Sequence, residues 1–211
     1  MPELSTFTIF VVAASVLLLT PGPAVLYIVT RSIDQGRVAG IVSTLGIAVG
    51  TLFHVAAAAF GISALLISSA LLFNFAKYLG AAYLIYLGVR KLLVKQELPS
   101  IQKVERKKLL QIFYQGVIVN VLNPKTALFF FAFLPQFVDP AKGAVSGQIL
   151  FLGAAFVVMG LFSDGLYALL AGSLGKWLRS NLRFLCAQRY FAGTVYIALG
   201  AVTALSGAHK N

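Results

Sequence analysis

The stretch LLLTPGPAVLYIV, Leu17 to Val29, places two prolines and a glycine inside an apolar run that is long enough to cross a membrane. Pro21 and Pro23 lack a backbone N–H, and their rings block hydrogen bonds to the preceding helical turn, so a helix must break here. The break frees carbonyl groups around Leu17 to Leu19, and freed carbonyls are costly in hydrocarbon because no water reaches them. The sequence therefore predicts that this break faces protein or a water-filled cavity rather than lipid.

The composition around this stretch is that of a membrane protein. Of the 211 residues, 59% are hydrophobic and only 11% are charged, and the mean hydropathy is +0.90, which excludes an ordinary soluble domain. The first apolar run lacks the basic segment of a secretory signal, so we expect it to remain in the mature protein. Since a spanning helix needs about 18 apolar residues or more, we expect an all-α integral membrane protein with six transmembrane helices, and a five-span arrangement stays open. The runs lie at 4–30, 39–68, 70–93, 111–138, 145–174 and 187–206.

Lysine and arginine are distributed unevenly between the predicted loops. If the helices alternate in direction, the loops 31–38, 90–110 and 175–189 share one side, and that side holds 13 of the 17 Lys and Arg residues. The positive-inside rule makes that side cytoplasmic and places both termini on the opposite side. The net charge of +11 then indicates topology and contact with anionic membrane lipids, not binding of nucleic acid. The 13 residues are Arg31, Arg37, Arg90, Lys91, Lys95, Lys103, Arg106, Lys107, Lys108, Lys176, Arg179, Arg183 and Arg189.

The polar stretch KQELPSIQKVERKK divides the chain into two halves with matching landmarks. In the first half TPGP is followed by GRVAG, then by a helix with Gly50 and His54, and then by GAAY. In the second half NPKT is followed by GAVSG, then by a helix with Gly160 and Asp164, and then by GTVY. Three spans in each half would insert the halves in opposite orientations, the inverted-repeat plan of many secondary transporters. We expect a first three-helix repeat at 1–94, a basic cytoplasmic loop at 95–110 and a second three-helix repeat at 111–211.

The second half also repeats the helix break. VNVLNPKTALFF places Pro124 inside the fourth apolar run, and Asn123 beside it is suited either to cap the break or to donate to a ligand. Each break leaves a half-helix N-terminus, which favours anions, and free carbonyls, which favour cations. A zwitterion of amino-acid size needs both kinds of partner, so the paired breaks predict a substrate site. We expect the phenylalanines that follow, at 129–131 and 133, to face lipid.

Asp164 is the only acid deep inside an apolar run, where a charge costs about 2.5–3.5 kcal/mol on insertion scales. Its helix face carries Gly160, Ala168 and Gly172 at four-residue spacing, and small residues let another helix approach closely. The second predicted helix has the same pattern around His54. Asp164 and His54 are therefore expected to face a packed or wet interior. The matching residues of the second helix are Gly46, Gly50 and Ala58.

Several roles stay open for these ionisable residues. Asp164 is suited to pair with a substrate ammonium, to hold Lys125, or to carry a coupling proton. Lys125 follows the second break and is suited to anchor a substrate carboxylate or to pair with Asp164. His54 is a further candidate for proton coupling, although a buried neutral imidazole bonded to a carbonyl or hydroxyl is equally consistent with the sequence.

Two other classes of function fit less well. A divalent-metal exporter of similar architecture would need clustered Cys or His for soft metals, or several carboxylates for hard ones, and the chain has one Cys, two His and one membrane acid. A membrane-embedded enzyme would need a nucleophile or metal centre with a base, and no HExxH, GxSxG or paired-acid motif occurs. We expect no cofactor and no resident metal.

With these residues in place, the chain resembles the LysE/RhtB family of amino-acid exporters. The resemblance rests on LTPGPAVLYIVTRSIDQGRVAGIVSTLGIAVG after the first span, GAAYLIYLGVRKL at the end of the third and FYQGVIVNVLNPKTALFFFAFLPQFV in the fourth. These blocks cover much of the first two-thirds of the chain. The last third matches mainly in hydropathy and in the acid of the fifth span.

The resemblance implies proton-driven export of an amino acid or close derivative across a bacterial inner membrane. In that membrane the distribution of Lys and Arg places the termini in the periplasm. It places the family's paired motifs on Thr20, Pro21, Gly22 and Pro23 and on Asn123, Pro124 and Lys125, and its acidic position on Asp164. Because only one buried acid is evident, a neutral or zwitterionic substrate is favoured over a dicationic one. Which amino acid is carried, the proton stoichiometry and whether two chains form a homodimer stay open.

Overall fold

The helical structure follows the apolar runs along the chain. The computed structural model describes residues 3–68, 70–93, 106–180 and 182–205, and the regular structure of these residues is entirely helical. Short π and 3₁₀ turns at Phe129–Phe133, Leu134–Phe137 and Pro140–Lys142 continue the chain after the second break. The α-helices are α1 (Leu4–Leu19), α2 (Pro23–Gln35), α3 (Arg37–Ser68), α4 (Ala70–Leu93), α5 (Leu109–Val121), α6 (Pro124–Leu128), α7 (Val145–Ser180) and α8 (Leu182–Leu205).

Two of the six predicted spans are broken, as the prolines require. Helices α1 and α2 meet at an angle of 50°, and α5 meets the segment Pro124–Phe137 at 46°. Each pair is long and apolar enough to cross a membrane as one bent span. Pro23 and Pro124 occupy the first turns of α2 and α6, where the missing N–H costs no helical hydrogen bond.

The chain is a membrane protein with several apolar helices. Within the described residues, two segments can each cross a membrane without a break, Arg37–Gly61 of α3 and Val145–Ser173 of α7. If each bent pair is counted as one span, the described residues contain four candidate spans. Helices α4 and α8 contribute the shorter apolar segments Ala81–Arg90 and Gly193–Leu205. The prediction of broken helices is confirmed, and the six-span inverted repeat stays a prediction.

Glycines determine how closely the helices pack around α3. A Cβ on Gly46 would lie 2.3 Å from the Phe113 carbonyl oxygen of α5, and one on Gly153 of α7 would lie 2.6 Å from Val55. The backbones of α3 and α5 therefore approach too closely at Gly46 for a larger side chain, as the predicted small-residue stripe of α3 requires. Gly153 lies outside the predicted stripe of α7, and a Cβ on Gly160 within that stripe would make only an ordinary contact, 3.6 Å from Leu18.

Contacts near the ends of the helices show which ends lie together. At one end Lys142 donates to Glu3 at 2.6 Å, and at the other Arg37 donates to the Ser173 hydroxyl at 2.6 Å. This arrangement agrees with alternating helix directions. The predicted loop at 31–38 is mostly helical, since only Gly36, with φ +87°, separates α2 from α3. Polar side chains at a membrane surface do not require a loop, because a helix that continues there keeps its backbone hydrogen bonds.

Many of the Lys and Arg residues on the predicted basic side are not among the side chains that the structure describes. This holds for Lys91, Lys95, Lys103, Lys176, Arg179, Arg183 and Arg189, and for residues 94–105 of the loop at 95–110. The predicted loop at 175–189 is helical wherever its backbone is described, in α7 and α8.

An aromatic core closes the end of the molecule that contains the Lys142–Glu3 pair. Phe129 stacks on Phe156 with ring centroids 4.5 Å apart, and Phe10 packs edge-on against Phe137 at 5.4 Å. The expectation that the phenylalanines after the second break face lipid is wrong for three of the four. Phe129, Phe130 and Phe133 are buried, because this segment runs inside the bundle, in contact with α3, α4 and α8.

Candidate functional site

Three carbonyl groups beside the first break, those of Val16, Leu17 and Leu19, accept hydrogen bonds from protein groups. The buried Thr20 donates twice to α1, from its hydroxyl to the Val16 carbonyl at 2.7 Å and from its N–H to the Leu17 carbonyl at 3.0 Å. The Tyr167 hydroxyl of α7 donates to the Leu19 carbonyl at 2.9 Å. These bonds explain how the chain tolerates a break inside an apolar span.

Lys125 connects the two breaks. Its ammonium nitrogen donates to the Thr20 carbonyl oxygen at 2.5 Å, across 105 positions of the sequence. Its own N–H donates at 3.1 Å to the side-chain oxygen of Asn123, which is the N-cap of α6. Lys125 is 8% exposed, so its side chain lies inside the protein.

Asn120 organises the polar groups around the second break. Its amide nitrogen donates to the Ile47 carbonyl and the Thr51 hydroxyl of α3, both at 2.8 Å. Its side-chain oxygen accepts from the Asn123 amide at 3.2 Å and from the Thr126 hydroxyl at 2.9 Å. A buried amide with this many bonds fixes α3, α5 and α6 relative to one another.

His54 lies behind Asn120. Its Nε2 is 2.9 Å from the Asn120 carbonyl oxygen, and its ring stacks on Phe130 with centroids 6.2 Å apart. This is the carbonyl-bonded, buried imidazole that the sequence left open as an alternative. His54 does not line the cavity described next, so its proton-coupling role stays a prediction.

Polar groups from both breaks line a small cavity. Its volume is about 40 Å³, room for about three water molecules, and its wall includes Gly22, Thr51, Asn120, Asn123, Lys125, Thr126, Gly160 and Asp164. Asp164 is 6% exposed and accepts no hydrogen bond from the residues that the structure describes. We call this the Asp164 cavity.

A second, larger cavity adjoins the breaks on the side of α4 and α8. Its volume is about 290 Å³, and it is lined by Gly22, Pro23, Leu26, Leu87, Arg90, Pro124, Lys125 and Tyr196. Gly22 and Lys125 line both cavities. We call this the Arg90 pocket.

The structure brings most of the predicted site residues together. Gly22, Asn123, Lys125 and Asp164 line the Asp164 cavity, Pro23 and Pro124 line the Arg90 pocket, and Thr20 binds Lys125. Pro21 lies between Thr20 and Gly22 and lines neither cavity.

Sequence reasoning missed Tyr167, left Tyr196 outside the site as a packing residue and assigned Arg90 only to topology. The match between GTVY and GAAY in the two halves singled out Tyr196, but no sequence signal separated it from a packing residue. Among the described residues, no three of His, Cys, Asp and Glu cluster as a metal site would require, so nothing in this part of the chain favours the metal-exporter alternative.

Comparison with known proteins identifies a family. The family described as LysE type translocator matches residues 15–207. A homoserine/homoserine lactone efflux protein of Salmonella typhimurium is 27% identical over 195 residues, 92% of this chain and 94% of that protein. The uncharacterized membrane protein YrhP of Bacillus subtilis is 27% identical over 206 residues, 93% of this chain and 97% of that protein. No solved structure matches the chain.

Proposed function

The chain belongs to the LysE type translocator family, whose members are transporters rather than enzymes, and we propose that it exports amino acids or close derivatives across the bacterial inner membrane by secondary active transport. Neutral or zwitterionic substrates are favoured. The export is coupled to protons and proceeds as an antiport.

The observation that carries this proposal is the Asp164 carboxylate. It is buried, receives no hydrogen bond from the described residues, and lines a cavity whose wall also includes Lys125. A charge inside an apolar span is retained only for a function that needs it. Opposite charges at one cavity match the carboxylate and ammonium of a zwitterion, so Lys125 holds the substrate carboxylate and Asp164 holds the ammonium or the coupling proton.

The efflux protein of Salmonella typhimurium supports this substrate class. Its name gives homoserine and homoserine lactone as what it exports. Homoserine is a small zwitterion, and the wall of the Asp164 cavity includes one basic and one acidic residue, Lys125 and Asp164. A homoserine-like amino acid is therefore the first substrate to test for this chain.

In this conformation the Asp164 cavity is too small to hold the substrate. Pockets for small molecules have volumes of about 300–1,000 Å³, and about 40 Å³ is too little for an amino acid. Transport then requires the helices around the breaks to separate. In the inverted-repeat arrangement the two halves rock against each other, and the glycine contacts of α3 and α7 provide the sliding surfaces.

Counterflow in proteoliposomes tests the proposal. Purified protein is reconstituted with unlabelled amino acids inside, and trace labelled L-homoserine, threonine, leucine or lysine is supplied outside, with and without a pH gradient. We expect accumulation of homoserine-like or other neutral amino acids and little of lysine, and a response to the gradient. If correctly inserted protein accumulates none of them, amino-acid export is wrong for this chain.

A further inference from the structure

The Arg90 pocket has the dimensions of a binding site, which the Asp164 cavity lacks. Its volume of about 290 Å³ is close to the lower limit of about 300 Å³ for small-molecule pockets. It is bounded by both helix breaks and by α4 and α8, which pack closely along Gly88 and Gly200.

Tyr196 presents a polar group to this pocket from a buried position. Its side chain is 6% exposed, and its hydroxyl makes no hydrogen bond among the described residues. The hydroxyl oxygen lies 3.4 Å from where a Cβ on Gly22 would be, next to the first break. Since a buried tyrosine hydroxyl usually has a partner, this one is available to a ligand in the pocket.

Arg90 supplies the charge that selects the ligand. Two other arginines at the same end of the molecule are engaged within the protein: Arg31 binds Gln35 and Gln115, and Arg37 binds Ser173. Arg90 makes no such bond with the described part of the chain and lines the pocket. Guanidinium groups bind carboxylates through two parallel hydrogen bonds.

We propose that the Arg90 pocket is a second substrate site, in which Arg90 and the Tyr196 hydroxyl bind the carboxylate of the amino acid before it reaches the Asp164 cavity. This inference rests on the proposed function. Lys125 lines both cavities, so the carboxylate passes from Arg90 to Lys125 as the helices around the breaks separate. Arg90 thus selects substrates with a free carboxylate.

Binding of two related probes to the purified full chain tests this proposal. Saturation-transfer NMR titrations in detergent compare L-homoserine with homoserine lactone, in which the carboxylate is closed into an ester. Arg90→Gln should weaken L-homoserine binding about tenfold, the loss of a hydrogen-bonded charge pair, and leave lactone binding unchanged. Arg90→Lys keeps the charge and should give an intermediate loss, because Lys lacks the two-pronged geometry. Tyr196→Phe should weaken L-homoserine by a smaller factor.

Arg106→Gln is the matched control, because it removes the same charge from an exposed position outside the pocket. It should bind both probes as the wild type does. The proposal is overturned if the wild type carries out counterflow of L-homoserine and yet Arg90→Gln and Arg106→Gln behave alike, or Arg90→Gln weakens both probes equally. Failure of the proposed function would differ: the wild type would bind L-homoserine but show no counterflow of any amino acid.

Discussion

At the scale of single residues, one lysine and one amide hold the site together. Lys125 joins the two breaks through the Thr20 carbonyl, and Asn120 joins α3 to the second break through four side-chain hydrogen bonds. Asp164 differs from both, since it has no such bond among the described residues. The bonded residues shape the cavity, and the carboxylate without bonds is the group available to substrate or proton.

Asp164→Asn tests the role of that carboxylate. We expect concentrative efflux from proteoliposomes to fall about tenfold or more, because the loss of a charged hydrogen-bonding partner costs about 1.5–3 kcal/mol. If exchange without a gradient survives, Asp164 carries the proton; if exchange is lost too, it holds the substrate ammonium. Asp139→Asn, at an acid outside the cavity, should transport normally. Unchanged efflux by Asp164→Asn at every pH would remove Asp164 from the mechanism.

Asn120→Ala tests the structural amide. Removing the side chain leaves the Thr126 hydroxyl and the Asn123 amide nitrogen without a partner among the described residues of a buried site, whereas the Ile47 carbonyl still accepts from the Thr51 hydroxyl at 3.1 Å. We expect the free energy of unfolding to fall by about 1–3 kcal/mol, measured by thermal melting in detergent. Thr8→Ala, which removes an exposed side chain that bonds only within α1, is the control. Equal melting temperatures for the two variants would contradict the role of Asn120.

At the scale of helices, backbone contacts control the packing. The close approach of Gly46 to the Phe113 carbonyl leaves no space for a side chain, whereas a Cβ on Gly165 of α7 would meet nothing within 4 Å. A helix break follows from the prolines of a single segment. The close contacts of the glycines depend instead on where along their lengths two helices meet.

Gly46→Ala and Gly165→Ala form a matched pair that tests this packing. Overfilling a close helix contact costs about 1–3 kcal/mol, so Gly46→Ala should lower the melting temperature. Gly165→Ala should leave it unchanged or raise it slightly, because alanine favours the helix by about 1 kcal/mol. A Gly46→Ala variant as stable as Gly165→Ala would show that α3 and α5 pack less closely.

At the scale of the whole molecule, the alternating helix directions separate two surfaces. Lys142 and Glu3 mark one end, while Arg37 and Ser173 mark the other. The excess of Lys and Arg on the second end predicts that it faces the cytoplasm.

Cysteine labelling in intact cells tests this orientation. The single native cysteine, Cys186, is first replaced by serine, and one cysteine is then placed at Lys142 or at Arg106. A membrane-impermeant maleimide should label Lys142→Cys in intact cells and Arg106→Cys only after permeabilisation. The reverse pattern would invert the predicted topology.

Much of the candidate site follows from the sequence because its signals are local. Pro21, Pro23 and Pro124 break helices wherever they occur in an apolar span, since proline lacks the N–H that a helix uses. Asp164 is conspicuous for a similar reason, because a charge in an apolar run is costly and therefore usually marks a functional site. These residues alone predicted two broken spans and an interior site.

Only the tertiary structure decided which of these residues meet. The bond from Lys125 to the Thr20 carbonyl, the placement of His54 behind Asn120 and the position of Tyr196 and Arg90 around one pocket join residues far apart in sequence. Such contacts depend on the depth and angle at which helices pack, and these depend on backbone approaches such as Gly46 against Phe113. A hydropathy pattern specifies the face of a helix but not its partner, so the composition of each cavity became visible only in the folded molecule.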